Sequence, residues 1–164
     1  MQLSYKEFSR NNTKIEKLVI FLHGYGANGE NLLALAPEIS KSLTNAKFIA
    51  PNATYQCDIG LPDSYQWFTL AQADPVKMSI EITESNSILD NFIKTQLEKH
   101  NLTKKDLILI GFSQGAMMSM YNSLRSSEEP AVILALSGRL ILPPEIKSKP
   151  KVFLIHGTDD DVVG

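Results

Sequence analysis

The sequence predicts an α/β fold, a mainly parallel β-sheet with helices on both faces. Three observations carry that prediction. Short apolar runs recur along the chain, with amphipathic helical patterns between them. The runs are apolar nearly throughout rather than alternating, as strands covered on both faces must be. Three of them end in polar, glycine-containing stretches, HGYG, GFSQG and HGTDDD. Ligands of such sheets bind outside the carboxyl ends of the strands.

The elements follow in chain order. LSYKEFS (3–9) is expected as an edge strand, paired through a turn near Asn11-Asn12. KLVIFLHG (17–24) has the composition of a buried strand. ENLLALAPEISKSL (30–43) places apolar residues three and four apart, so a helix is expected, with Pro37 set to kink it. AKFIAP (46–51) is a second strand. Residues 51–78 are rich in Pro, Asp and Gly and contain Trp67 and Phe68, which suits a long functional loop. SIEITESNSILDNFIKTQLEKH (79–100) is a strong amphipathic helix. DLILIG (106–111), AVILAL (131–136) and KVFLIHG (151–157) are three more buried strands, and QGAMMSMYNSLRS (114–126) is the helix between the first two.

Composition narrows the class. The chain has 164 residues, enough for one domain, 1–164, with a real core. The net charge of −2, with no basic block, argues against nucleic acid as a partner. MQLSYKEFSR lacks the apolar segment of a signal peptide, and no apolar run is long enough to span a membrane. Cys57 is the one cysteine, expected as an inert loop thiol, and an internal disulfide is impossible. A reducing, cytoplasmic setting is expected.

Gly24-x-Gly26-x-x-Gly29 has the spacing of a dinucleotide fingerprint, and a strand precedes it. That motif also needs an acidic residue about 20 positions on, for the ribose. Residues 43–57 contain no Asp or Glu, so the motif fails in context. GFSQG (111–115) matches G-x-S-x-G and sits between a strand and a helix, the setting of a nucleophile elbow. A glycine-flanked serine that merely caps a helix would carry the same five residues. If Ser113 is a nucleophile, it needs a base, an orienting acid and two backbone N–H donors for the oxyanion. One donor is then Gln114, the next residue. The other is expected from the HGYGANG loop, at Tyr25, unless that loop is a plain glycine turn.

FLHGYGANGENL, APNA, YQWF, GFSQGAMMSM and HGTDDDVV, in this order, resemble the phospholipase/carboxylesterase branch of the α/β-hydrolases, which includes the acyl-protein thioesterases. The likeness covers nearly the whole chain. It implies an α/β-hydrolase fold, Ser113 as nucleophile and Asp160 as triad acid, three residues after His156-Gly157. It implies ester or thioester substrates and no cofactor. Asp159, Asp160 and Asp161 could instead form a solvated acidic turn. No histidine pair has metal-ligand spacing, and no metal is expected.

The family's catalytic histidine would follow one more helix and strand, and none of the three histidines here follows the acid. His23 belongs to the glycine loop, His100 is expected as a cation at a helix end, and His156 is expected to brace the acid loop. A chain lacking the last helix and strand, crippled as a catalyst, is therefore expected. Its KVFLIHG edge would be open to self-association or to a complementing C-terminal piece. A non-catalytic acyl- or lipid-binding remnant is the rival. Met117, Met118 and Met120 could line an acyl channel or fill the core, and Trp67 and Phe68 could wall the pocket or anchor their loop. Of these, Trp67 and Met117 are the expected substrate contacts.

Overall fold

A computed structural model describes residues 2–10, 14–70 and 74–163. Its strands are β1 (Tyr5–Phe8), β2 (Lys17–Leu22), β3 (Ala46–Pro51), β4 (Tyr55–Gln56), β5 (Tyr65–Gln66), β6 (Leu107–Phe112), β7 (Val132–Leu136) and β8 (Val152–Ile155). Its helices are α1 (Gly29–Leu33), α2 (Ala36–Ile39), α3 (Pro75–Lys99) and α4 (Gln114–Arg125). Six strands form one sheet in the order β1-β3-β2-β6-β7-β8. All neighbours are parallel except β1, which runs antiparallel to β3.

The apolar runs are explained by the two faces of this sheet. Along β2, Leu18, Ile20 and Leu22 join one core cluster with α3 and α4. Val19 and Phe21 join the other, with Ala36, Phe48 and Ile110. Successive strand residues point to opposite faces, so a strand buried on both sides has no polar position to spare. Each such side chain contributes about 1.5–3 kcal/mol by leaving water.

Four details differ from the sequence expectation. The N-terminal strand pairs with β3 rather than back onto β2, because β2 already has β3 and β6 on its two edges. The turn at Asn11-Asn12 lies outside the described residues. The helix expected over 30–43 is two short helices, α1 and α2, with the break before Pro37. A proline ring clashes with the carbonyl four residues back, here Leu33, where α1 ends. The long helix begins at Pro75 rather than 79. The Asp74 carboxylate accepts the Val76 and Lys77 N–H groups, and proline suits the first helical position.

The fourth difference bears on the site. Inside the expected loop, β4 and β5 pair as a small antiparallel hairpin. Tyr65 of that hairpin bridges to Ala27 of the glycine loop.

Candidate active site

Ser113 stands at the turn between β6 and α4 with φ 52° and ψ −117°. A non-glycine residue at positive φ is strained, and such strain persists only where the surroundings hold it. Here Ser113 N–H donates to the Leu136 carbonyl of β7 at 2.9 Å, and its own carbonyl accepts from Met117 N–H at 3.1 Å. The flanking glycines are set by close approach. A Cβ on Gly115 would lie 1.9 Å from the Leu22 carbonyl oxygen, and one on Gly111 would lie 2.4 Å from that of Gly115. The turn therefore brings α4 against β2 and leaves the serine at its tip. Gln114 is the first residue of α4, so its N–H has no acceptor within the helix.

The glycine loop lies across the carboxyl end of β2, and the hairpin holds it. Gly26 N–H donates to the Tyr65 carbonyl at 2.9 Å and Tyr65 N–H to that of Ala27 at 2.8 Å. The Asn28 amide donates to the Asp63 carbonyl at 3.1 Å. Tyr25 donates its hydroxyl to Asp58, and that hydrogen bond raises the pKa of the phenol. Among the described residues, the loop's backbone hydrogen bonds use the N–H groups of Gly26 and Ala27, and none uses that of Tyr25.

A buried network joins this loop to the serine turn. The Gln114 side chain accepts from Trp67 N–H at 3.0 Å and donates to the Phe68 carbonyl at 2.8 Å. The Trp67 indole N–H donates to the His23 carbonyl at 2.9 Å. His23 lies fully buried, its Nδ1 2.7 Å from the Gly24 carbonyl and its Nε2 accepting from Ala53 N–H at 2.9 Å. Burial pushes its pKa down to about 4, so the ring is neutral, with its proton on Nδ1.

The third polar stretch forms a loop after β8. Asp160 accepts from Val162 N–H at 3.1 Å and Val163 N–H at 3.0 Å. The Val163 and then the Val162 hydrogen bonds, with further help from Ser137 and His156, hold its carboxyl below the usual range. His156 Nε2 lies 3.3 Å from Asp160 and 2.7 Å from the Val163 carbonyl, bracing this loop. His100 sits at the far end of α3, before β6, at the opposite end of the sheet from Ser113. Burial, with Lys99 and Lys47, lowers its pKa, against the cation expected there. Among the described residues, no hydrogen bond joins Ser113 Oγ to a histidine.

A cleft of about 590 Å³ opens at these loops. Of the residues singled out in the sequence, Tyr25, Ser113, Gln114, Met117 and Phe68 line it. Trp67, expected to wall the pocket, does not: its ring is 0% exposed and packs beside His23. Met118 and Met120 are buried in the core. Leu70, Met78, Arg139, Val162 and Val163 also line the cleft and were not foreseen. Arg139 had a signal: it follows the carboxyl end of a strand, as the three polar stretches do. Leu70 and Met78 had none, because they meet the cleft through α3 and its approach. Among the described residues, no three His, Cys, Asp or Glu side chains are grouped to hold a metal ion.

Comparisons with known proteins bear on the family and the fold. The family described as Phospholipase/Carboxylesterase matches residues 4–164. An acyl-protein thioesterase 1 homolog of Dictyostelium discoideum is 31% identical over 160 residues, covering 88% of this chain and 69% of that protein. Acyl-protein thioesterase 1 of Yarrowia lipolytica is 30% identical over 159 residues, covering 88% and 70%. The crystal structure of esterase PE8 superposes with a TM-score of 0.90 at 38% identity, over 99% of this chain and 78% of that one. With its mostly parallel sheet and the serine turn between β6 and α4, this chain belongs to the phospholipase/carboxylesterase family and has its α/β-hydrolase fold.

Proposed function

We propose that the chain is a serine hydrolase of carboxylic esters or thioesters, acting through an acyl-Ser113 intermediate. One observation carries this reading: Ser113 is held at positive φ between strand and helix, at the mouth of the cleft. Its hydroxyl would attack the acyl carbon and expel the alcohol or thiol, and water would then release the acid. The N–H groups of Gln114 and Tyr25 would hold the oxyanion. Asp160 would orient the base, and Met117 would contact the acyl chain. Neither a cofactor nor a metal enters this chemistry.

The base is the weak member. His23 has both ring nitrogens engaged, His100 is remote, and His156 is tied into the acid loop. None of these described histidines is hydrogen-bonded to Ser113. Loss of the histidine from a serine triad lowers kcat by about 10⁶-fold, roughly 8–9 kcal/mol of barrier. The rival reading is an acyl- or lipid-binding protein that does not turn over. A second chain docked on the β8 edge, either another copy or a complementing piece, is one source of a base. The single cysteine suits a reducing, cytoplasmic setting.

Fluorophosphonate labelling of the folded chain tests the reading, with Ser113→Ala as control and circular dichroism to confirm folding. Labelling lost in the variant supports an activated serine. A folded chain that stays unlabelled, yet binds an acyl ligand, supports the rival.

A further inference from the structure

We infer that the Ser113 cleft takes esters or thioesters whose far end carries a carboxylate, and that Arg139 selects them. The inference rests on the acyl-transfer reading of this cleft and adds a substrate class to it.

Arg139 lines the same cleft as Ser113, and among the described residues no Asp or Glu lines it. Among the described residues, Arg139 makes no hydrogen bond and no ion pair. Its place is fixed by the residues before it. Ser137 N–H donates to the Ile155 carbonyl at 2.8 Å, and Ser137 turns off β7 with φ 46°. Gly138 is pressed onto the serine turn: a Cβ there would lie 2.5 Å from that of Ala116 and 3.2 Å from the Ser113 carbonyl oxygen. The next residue is Arg139, so the chain enters it from directly beside the serine turn.

Among the described residues no acid pairs with this cation, and Asp160 of the neighbouring loop is already engaged. Asp160 already has the N–H groups of Val162 and Val163, the Ser137 hydroxyl and His156 around its carboxylate. Six of the other lining residues are apolar, Phe68, Leu70, Met78, Met117, Val162 and Val163; Tyr25 and Gln114 are the polar ones, the Tyr25 hydroxyl given to Asp58 and the Gln114 amide engaged by Trp67 and Phe68. One always-charged, fork-shaped donor among mainly apolar walls fits a short acyl chain or alcohol that ends in a carboxylate.

Binding is measured by titration calorimetry in the Ser113→Ala background, so that turnover cannot consume the probes. The probes are monomethyl adipate, an anion at neutral pH, and dimethyl adipate, its neutral counterpart. The expected result is about three- to ten-fold tighter binding of the monoanion, as suits an exposed ion pair. Arg139→Lys should retain part of the preference, and Arg139→Gln should abolish it. Added salt should weaken it. Arg139 is exposed and bonded to nothing described, so both variants should melt as the parent does. Equal binding of the two esters, binding of neither, or a preference that survives Arg139→Gln would overturn the inference. Failure of the serine reading would show separately, as absent labelling of Ser113 in the parent chain.

Discussion

Beneath the glycine loop, His23 has both ring nitrogens in short hydrogen bonds and no access to water. Protonation would turn the acceptor Nε2 into a donor facing Ala53 N–H. Burial disfavours the charged ring, against the Gly24 hydrogen bond, and sets its pKa at about 4 against 6.5 for the free side chain. The unfolded chain takes up the proton first, so folding stability is full above pH 6.5 and falls as the pH drops toward 4. The loss from this one group is about 3 kcal/mol, at 1.36 kcal/mol per pH unit. Urea unfolding between pH 7 and pH 5 should show the decline begin, before most carboxylates titrate. His23→Asn should flatten it, and an unchanged slope in that variant would place the titrating group elsewhere. The sequence made Ser113 and Gln114 legible because strand, turn and helix are local. It could not show that the Gln114 amide reaches Trp67 and Phe68, more than forty residues away, or that Trp67 faces His23 rather than the cleft.

Element boundaries were legible where a side chain enforces them locally. Pro37 splits one expected helix, and Asp74-Pro75 starts another four residues early. The Pro37 signal is legible in the sequence as a kink, whereas Asp74-Pro75 falls inside the stretch expected as a loop. The β4–β5 hairpin is a different case. It has two residues per strand, too few for any period, and its tie to the glycine loop depends on tertiary contact. Asp74 allows a measurement at this scale. Its carboxylate satisfies two of the N–H groups that the first turn of α3 leaves unpaired. Asp74→Ala should cost about 1 kcal/mol in urea unfolding. It should leave the rate of Ser113 labelling unchanged, since the cap makes no contact with the serine turn. A variant as stable as the parent would mean that α3 is held by its buried face alone.

The two edges of the sheet are built differently, and the difference predicts how whole molecules meet. At one edge, β1 carries Lys6 and Glu7, and Glu7 pairs with Lys47 and Lys99. Charges on an edge strand resist the addition of another strand. At the other edge, β8 is apolar and exposed: Phe153 is 56%, Leu154 69% and Ile155 56% exposed. Its outer side pairs with no strand among the described residues. An unpaired apolar edge presents both backbone hydrogen-bonding groups and hydrophobic side chains to a second copy. The 164-residue chain is therefore expected to self-associate as its concentration rises, and sedimentation velocity over a concentration series measures this. Leu154→Lys puts a charge in the middle of that edge and should shift the distribution to monomer. The substitution lies on a side chain already largely in water, so the fold should lose little stability. A parent chain that stays monomeric across the series and melts cooperatively would show that the β8 edge is protected without a partner.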